Sequence, residues 1–246
     1  MAGLLVRILG ASLAGLALVA SVGALHHGVG QAALGFVQEP EESFPPFRWQ
    51  SPSADRPARV LLLGTSLTAG GHWNDALQQA LSACRPGGVV VERLARPGAN
   101  SAWGQEALAQ RLQTGPAPDL LVVEFSINDA SLWRGMTLGK SEARHSEILT
   151  MAQQAGVTVW LSTMSPAFGG KGWQRPGQIA YRAAYQDLAR QAGAGLIALA
   201  PDWKQLSAQA RAIAMPDDLH PVDAAMRGIT VPALVAALSP VLCPAR

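Results

Sequence analysis

Four short stretches of this 246-residue chain carry side chains suited to acyl-transfer chemistry. Ser66 follows an apolar run (residues 60–63) and Gly64, and a helical pattern starts soon afterwards, near His72. A serine at the end of a buried parallel strand and ahead of a helix sits where α/β folds hold their ligands. Its hydroxyl there faces the positive end of the helix. Gly98, in Arg96-Pro97-Gly98-Ala99-Asn100-Ser101, offers a backbone amide, and Asn128, in Ser126-Ile127-Asn128-Asp129, a side-chain amide. His220 comes late in the chain, with Asp217 three residues before it and Asp218 between. A nucleophile, a base with an acid to orient it, and amides to receive negative charge are the parts that acyl transfer needs. Each stretch alone also reads as ordinary structure: a capped strand-to-helix turn at Ser66, a glycine turn, an Asn-Asp turn, and an Asx-type cap ahead of Pro221.

The elements that must position these residues alternate regularly. Strand patterns at 60–63, 89–94, 120–125, 157–161 and 196–199 are interleaved with helical ones at 73–83, 101–112, 142–155, 179–192 and 224–238. Alternation of this kind predicts an α/β fold, a three-layer α/β/α sandwich on a parallel five-stranded sheet. The near-continuous apolar run 120–125 marks the central strand. Right-handed crossovers then put every strand-to-helix loop on one edge of the sheet, the carboxyl edge.

Residues 8–25 carry no charge and follow Arg7. Such a run is a signal peptide, with small residues for cleavage after Ala24, or a retained membrane anchor over residues 4–25. Either reading takes the rest of the chain out of the cytoplasm. Residues 26–57 are rich in proline, lack periodicity and read as a linker, with Phe44, Phe47 and Trp49 available to pack on the domain of residues 58–246. Charged residues make up 15% and hydrophobic ones 49%, which excludes global disorder. The basic residues are scattered, so no nucleic-acid partner is expected. No Cys/His cluster has ligand spacing, so neither a metal nor another cofactor is expected.

In these blocks the chain resembles the SGNH (GDSL-type) serine esterases, over about residues 58 to 238. Gly64-Thr65-Ser66-Leu67 is similar to the family's nucleophile block, Gly98 with Asn100-Ser101 and Gly104 to its second, Ser126-Ile127-Asn128-Asp129 to its third, and Asp217-Asp218-Leu219-His220-Pro221 to its fifth. Two positions depart from the pattern: Thr65 stands where the family usually has Asp, and Ser126 where it usually has Gly. Neither carries a proton or an oxyanion contact, so the departures mark a divergent branch.

The resemblance implies a flavodoxin-like sheet and a carboxylic ester hydrolase with Ser66 as nucleophile, His220 as base and Asp217, selected over Asp218 by family spacing, as the orienting acid. It implies an oxyanion hole from the Ser66 and Gly98 backbone amides and the Asn128 side chain. Trp73, Trp103, Trp133 and Trp173 fall on or beside the carboxyl-edge loops and are candidates for stacking on a sugar ring. With an extracytoplasmic setting, the resemblance to a family that deacetylates carbohydrates implies an O-deacetylase of a carbohydrate or other small acyl ester. A lipid esterase or thioesterase, a glycan O-acetyltransferase and a non-catalytic glycan-binding module are the alternatives. The glycines after the fourth strand suggest a mobile flap over residues 162–173. His145 is expected within a surface helix and His72 in a first helical turn. Cys84 and Cys243 end two helices that share one face of a flavodoxin-like sheet, and a disulfide between them is expected.

Overall fold

A computed structural model describes residues 26–243, apart from 34 and 50. The apolar segment, residues 1–25, lies outside the described residues. Five parallel strands, β1 (Ala58–Gly64), β2 (Val89–Ala95), β3 (Leu120–Glu124), β4 (Thr158–Ser162) and β5 (Gly195–Ile197), form one sheet in the order β2-β1-β3-β4-β5. The longer helices are α1 (Trp73–Cys84), α2 (Ser101–Thr114), α3 (Leu138–Gln154), α4 (Gln178–Ala192) and α5 (Val231–Leu242). The result is the α/β/α sandwich with a flavodoxin-like strand order.

The strands are apolar on both sides because both sides are covered. Val60, Leu62, Leu120 and Val122 face a core that includes Leu77 and Leu81 of α1 and Leu234 and Leu238 of α5. Leu61, Leu63, Leu121 and Val123 face the other, with Leu108 of α2, Ile148 and Leu149 of α3 and Leu188 of α4. Each fully buried leucine contributes roughly 1.5–3 kcal/mol. The register puts Gly64 level with Ala95 of β2 and Glu124 of β3. Three strands therefore end together, and the loops behind them converge. This is the β1/β3 switch point, where the chain turns to opposite faces and leaves a crevice.

Three expectations need correction. α3 begins at Leu138, four residues earlier than the sequence pattern, with Thr137 in extended backbone at its N-cap. The closing helix is not uniform: Asp223–Ala225 is followed by a wider π turn, Met226–Thr230, before α5. Pro232 has no N–H for the usual bond four residues back, and the wider turn lies directly ahead of it. Residues 26–57 lie along the domain as a strap, with Phe44 but not Phe47 packed on it. Phe44 exchanges both backbone hydrogen bonds with Leu196 on the edge strand β5. Glu39 receives Arg182 and Lys204, and Arg85 donates to the carbonyls of Pro52 and Ser53. Cys84 and Cys243 are disulfide-bonded, with Cα atoms 5.4 Å apart, at the ends of α1 and α5 on one face.

Candidate active site

β1 delivers Ser66 to the carboxyl edge. Thr65 caps the short helical turn Ser66–Ala69, its side chain accepting from the Leu67 N–H. From the other end of the chain, the loop after Met215 brings His220 to the same place. Ser66 Oγ donates to His220 Nε2 at 2.9 Å, and His220 Nδ1 donates to Asp217 Oδ2 at 2.6 Å. Asp217 Oδ1 accepts from the backbone N–H groups of His220 (2.7 Å) and Leu219 (3.1 Å). Partial burial pushes this carboxyl up, but the hydrogen bonds from His220 and Leu219 outweigh it and hold it at about 2. Asp218 turns away in a left-handed conformation, φ +64°, toward Gly169, so Asp217 is the acid on the histidine.

The two loops are clasped together. Asp223 accepts from the His72 N–H at 2.7 Å and from Arg227 Nε at 2.6 Å, and Arg227 Nη2 donates to the His72 carbonyl at 2.9 Å. His72 itself is exposed at the start of α1.

Gly98 and Asn128 come from the neighbouring loops. Gly98 has φ +75°, a conformation that favours glycine, and it lines the cavity beside Ser66 with Asn128. One Asn128 Nδ2 hydrogen goes to the Ala99 carbonyl at 2.8 Å, which ties the third loop to the second and leaves the other hydrogen for a ligand. Neither the Ser66 nor the Gly98 N–H has a protein partner among the described residues. Asp129 completes the tie, accepting from the Ser101 N–H (2.9 Å) and from the hydroxyls of Ser101 and Ser141 (both 2.6 Å). Gly104 is glycine because the Phe125 ring lies where its Cβ would be.

Glu124, Thr68 and Tyr185, behind the site, were not singled out in the sequence. Glu124, at the end of β3, is buried beneath the nucleophile turn. It accepts from the Thr65 N–H (2.6 Å), the Thr65 hydroxyl (2.9 Å) and the Thr68 hydroxyl (2.7 Å). A Cβ at Gly64 would overlap its carboxylate. Burial raises it to about 7 despite the threonine hydrogen bonds, with no cation paired to it among the described residues. Thr65 thus fills the family's aspartate position with a hydroxyl that donates to this carboxyl and accepts from the Leu67 N–H. His145 is fully buried rather than on a surface helix. Its Nδ1 donates to the Ser141 carbonyl (2.8 Å), so its Nε2 accepts from the Tyr185 hydroxyl (2.7 Å). That oxygen in turn accepts from the N–H groups of Phe125 (2.8 Å) and Ser126 (3.0 Å). Burial lowers the pKa of this histidine.

Two cavities meet at Ser66 and His220. The smaller, about 320 Å³, is floored by Leu67, Trp73 and Met226. The larger, about 500 Å³, holds Gly98, Asn128 and Trp133. A cavity of about 710 Å³ lies at the opposite, amino edge beside Phe47 and Trp49, away from these groups. The four tryptophans divide. Trp133 lines the larger cavity and is 79% exposed, and Trp173 is exposed on the turn Gly169–Trp173. Trp73 is buried, its Nε1–H donating to the Leu67 carbonyl, and meets the site only as part of the floor of the smaller cavity. Trp103 packs edge-on against Phe125 beneath Arg96. The expected flap is mostly fixed: residues 162–167 are buried, and the Gln178 side chain bonds both the N–H and the carbonyl of Ala167. Only residues 168–174 rise to the surface.

The sequence profile of the GDSL-like lipase/acylhydrolase family matches residues 62–227, and the chain belongs to that family. It is a carboxylic ester hydrolase. Solved structures share the fold at low identity. A lipase/acylhydrolase from Enterococcus faecalis is 21% identical over 77% of this chain and 99% of its own, with a TM-score of 0.66. TesA is 21% identical over 75% and 99%, with a TM-score of 0.62. The acetylxylan esterase Axe2 from Geobacillus stearothermophilus is 17% identical over 76% and 96%, with a TM-score of 0.60. No curated protein matches the chain.

Proposed function

We propose that the protein is an extracytoplasmic serine esterase that removes a small acyl group, acetyl foremost, from a carbohydrate ester. The chain of hydrogen bonds Ser66–His220–Asp217 carries this reading. His220 takes the Ser66 proton as Oγ attacks the ester carbonyl, and returns it to the leaving alcohol. Asp217 keeps the Nδ1–H tautomer in place and stabilises the imidazolium. The oxyanion is received by the Ser66 and Gly98 N–H groups and Asn128 Nδ2, each such donor being worth roughly 3 kcal/mol in the transition state. Water then attacks the acyl-enzyme by the same route in reverse.

The larger cavity, with Asn128, Ser131 and Gln174 in its lining and Trp133 at its rim, suits a hydroxyl-rich alcohol part. The similarity to an acetylxylan esterase, whose catalytic mutants alter an aspartate and a histidine three positions apart as Asp217 and His220 are, supports the same class. The disulfide and the uncharged residues 8–25 support a site outside the cytoplasm, with residues 1–25 as signal or anchor and 58–246 as the catalytic domain. A second reading, an esterase for longer acyl chains, is favoured by the volume of the apolar cavity. A chain-length series of esters separates the two.

The test is labelling of residues 26–246 with a fluorophosphonate probe. Labelling of the wild type that vanishes in Ser66→Ala is expected. A folded wild type that stays unlabelled overturns the assignment of Ser66.

A further inference from the structure

We propose that the larger cavity is built for an ester whose alcohol part carries a negative charge, a carboxylate or a phosphate group. This rests on the esterase reading above and goes beyond it in naming the charge of the substrate. Three cationic side chains, Arg134, Lys171 and Arg175, line the cavity with Ser66 and Asn128, and no Asp or Glu among the described residues lines it. None of the three is ion-paired among the described residues.

Arg175 is the decisive member. It is only 7% exposed, its Nε donates to the Ile127 carbonyl (2.8 Å) and its Nη1 to the Lys171 carbonyl (3.1 Å). Its Nη2 has no protein acceptor among the described residues. Those two carbonyl bonds need donors, not a full charge. Burying a guanidinium without a counter-ion is costly, and the cost is recovered when an anion arrives. Burial without a carboxylate neighbour also lowers its pKa, as expected of an unpaired cation. Arg134 lies across the mouth, its Nη1 3.8 Å from where a Cβ on Gly98 would sit, and Lys171 stands on the turn above Arg175.

Of the acids on the flanking loops, Asp217 accepts from His220, Asp129 accepts from two serine hydroxyls, and Asp218 lies against Gly169 outside the lining of the cavity. The lining of the cavity thus carries three cations and, among the described residues, no carboxylate. An anionic substituent there gains charge-assisted hydrogen bonds from planar guanidinium forks, which match carboxylate and phosphate oxygens.

The test compares the acetates of 4-hydroxybenzoate, 4-hydroxyphenylphosphonate and 4-hydroxybenzamide. Each kcat/KM is divided by the ester's own rate with hydroxide, to remove leaving-group reactivity. The two anionic esters are expected to exceed the neutral amide by about tenfold or more at low ionic strength, the worth of one charge-assisted hydrogen bond. The advantage should shrink as salt is raised. Whichever anion leads identifies the source, carboxylate or phosphate. Lys171→Gln and Arg134→Gln should each reduce the anionic-to-neutral ratio severalfold, whereas Lys140→Gln, on the exposed start of α3 outside the cavity, should leave it unchanged. Arg175→Lys, which keeps a charge but loses the fork, is the mildest change at that position and should also lower the ratio severalfold; an unchanged ratio in this variant overturns the part given to Arg175. Equal corrected rates, or a preference for the amide, overturn the proposal while fluorophosphonate labelling still upholds the esterase. Loss of both labelling and all ester cleavage in the wild type overturns both.

Discussion

Glu124 shows how a single residue ties the site to the fold. Its carboxyl sits under the Ser66 turn with three hydrogen bonds from Thr65 and Thr68 and no cation among the described residues. Its pKa stands at about 7, against an ordinary value of 4.5. Between those values the folded chain holds a proton that the unfolded chain has released. This contribution to stability is therefore complete below about pH 4.5 and is lost as pH rises through 7. Asp217, held at about 2 rather than 3.8, acts in the other direction and in another window, below pH 4. Glu124→Gln keeps the acceptor oxygen and removes the titration. Denaturant unfolding at pH 5 and pH 8 should show the wild type losing more stability than Glu124→Gln. Equal losses would mean that the carboxyl does not titrate in this range.

At the scale of elements, the site is a set of loops braced by helices from behind. α4 places the Tyr185 hydroxyl against the Phe125 and Ser126 N–H groups, at the entry to the turn carrying Asn128. Tyr185→Phe leaves two buried amides unpaired, at a cost of about 1–3 kcal/mol. It should lower kcat about tenfold through Asn128, with a smaller change in KM and a lower melting temperature. An unchanged kcat in a destabilised variant would confine Tyr185 to a structural part.

This bracing marks the limit of what could be read from the chain. Ser66, Asn128 and the Asp217–His220 pair were legible because each lies in a compact local pattern. The strands were legible because apolar runs of their length suit a sheet covered on both faces. Glu124 looked like one polar residue in an apolar strand, since its partners are 56 and 59 residues away. His145 reads as a polar helix position until Tyr185, 40 residues on, closes over it. Trp73 sits beside the right loop in sequence, but the apolar demand of the core turned it inward. Arg175 belongs to no motif, and only the cavity gives its charge a meaning.

At the scale of the whole molecule, two devices close the chain on itself. The disulfide joins positions 159 residues apart, near the start and end of the domain. Restricting an unfolded loop of that length is worth roughly 2–5 kcal/mol. Reduction, or paired Cys84→Ser and Cys243→Ser changes, should lower the melting temperature by about 10 °C, since 1 kcal/mol shifts a domain of this size by roughly 2–4 °C. A melting curve indifferent to reductant would show that the bridge adds nothing to the packing of α1 on α5.

The second device is the strap. It begins where His27 meets Tyr181 and Gly28 packs on Ala180, at the amino end of α4. It then descends beside β5, past Leu196, to Gly193 at the opposite pole. In a parallel sheet the amino ends of the crossover helices share the pole of the strand-to-helix loops. Tyr181 also holds the Met136 carbonyl, three residues from Trp133 at the cavity rim. Residue 26 is therefore mounted on the working pole, not the far one. A chain held at residue 26, as the proposed anchor would hold it, turns the mouth of the cavity, and not the amino edge of the sheet, toward whatever carries that anchor.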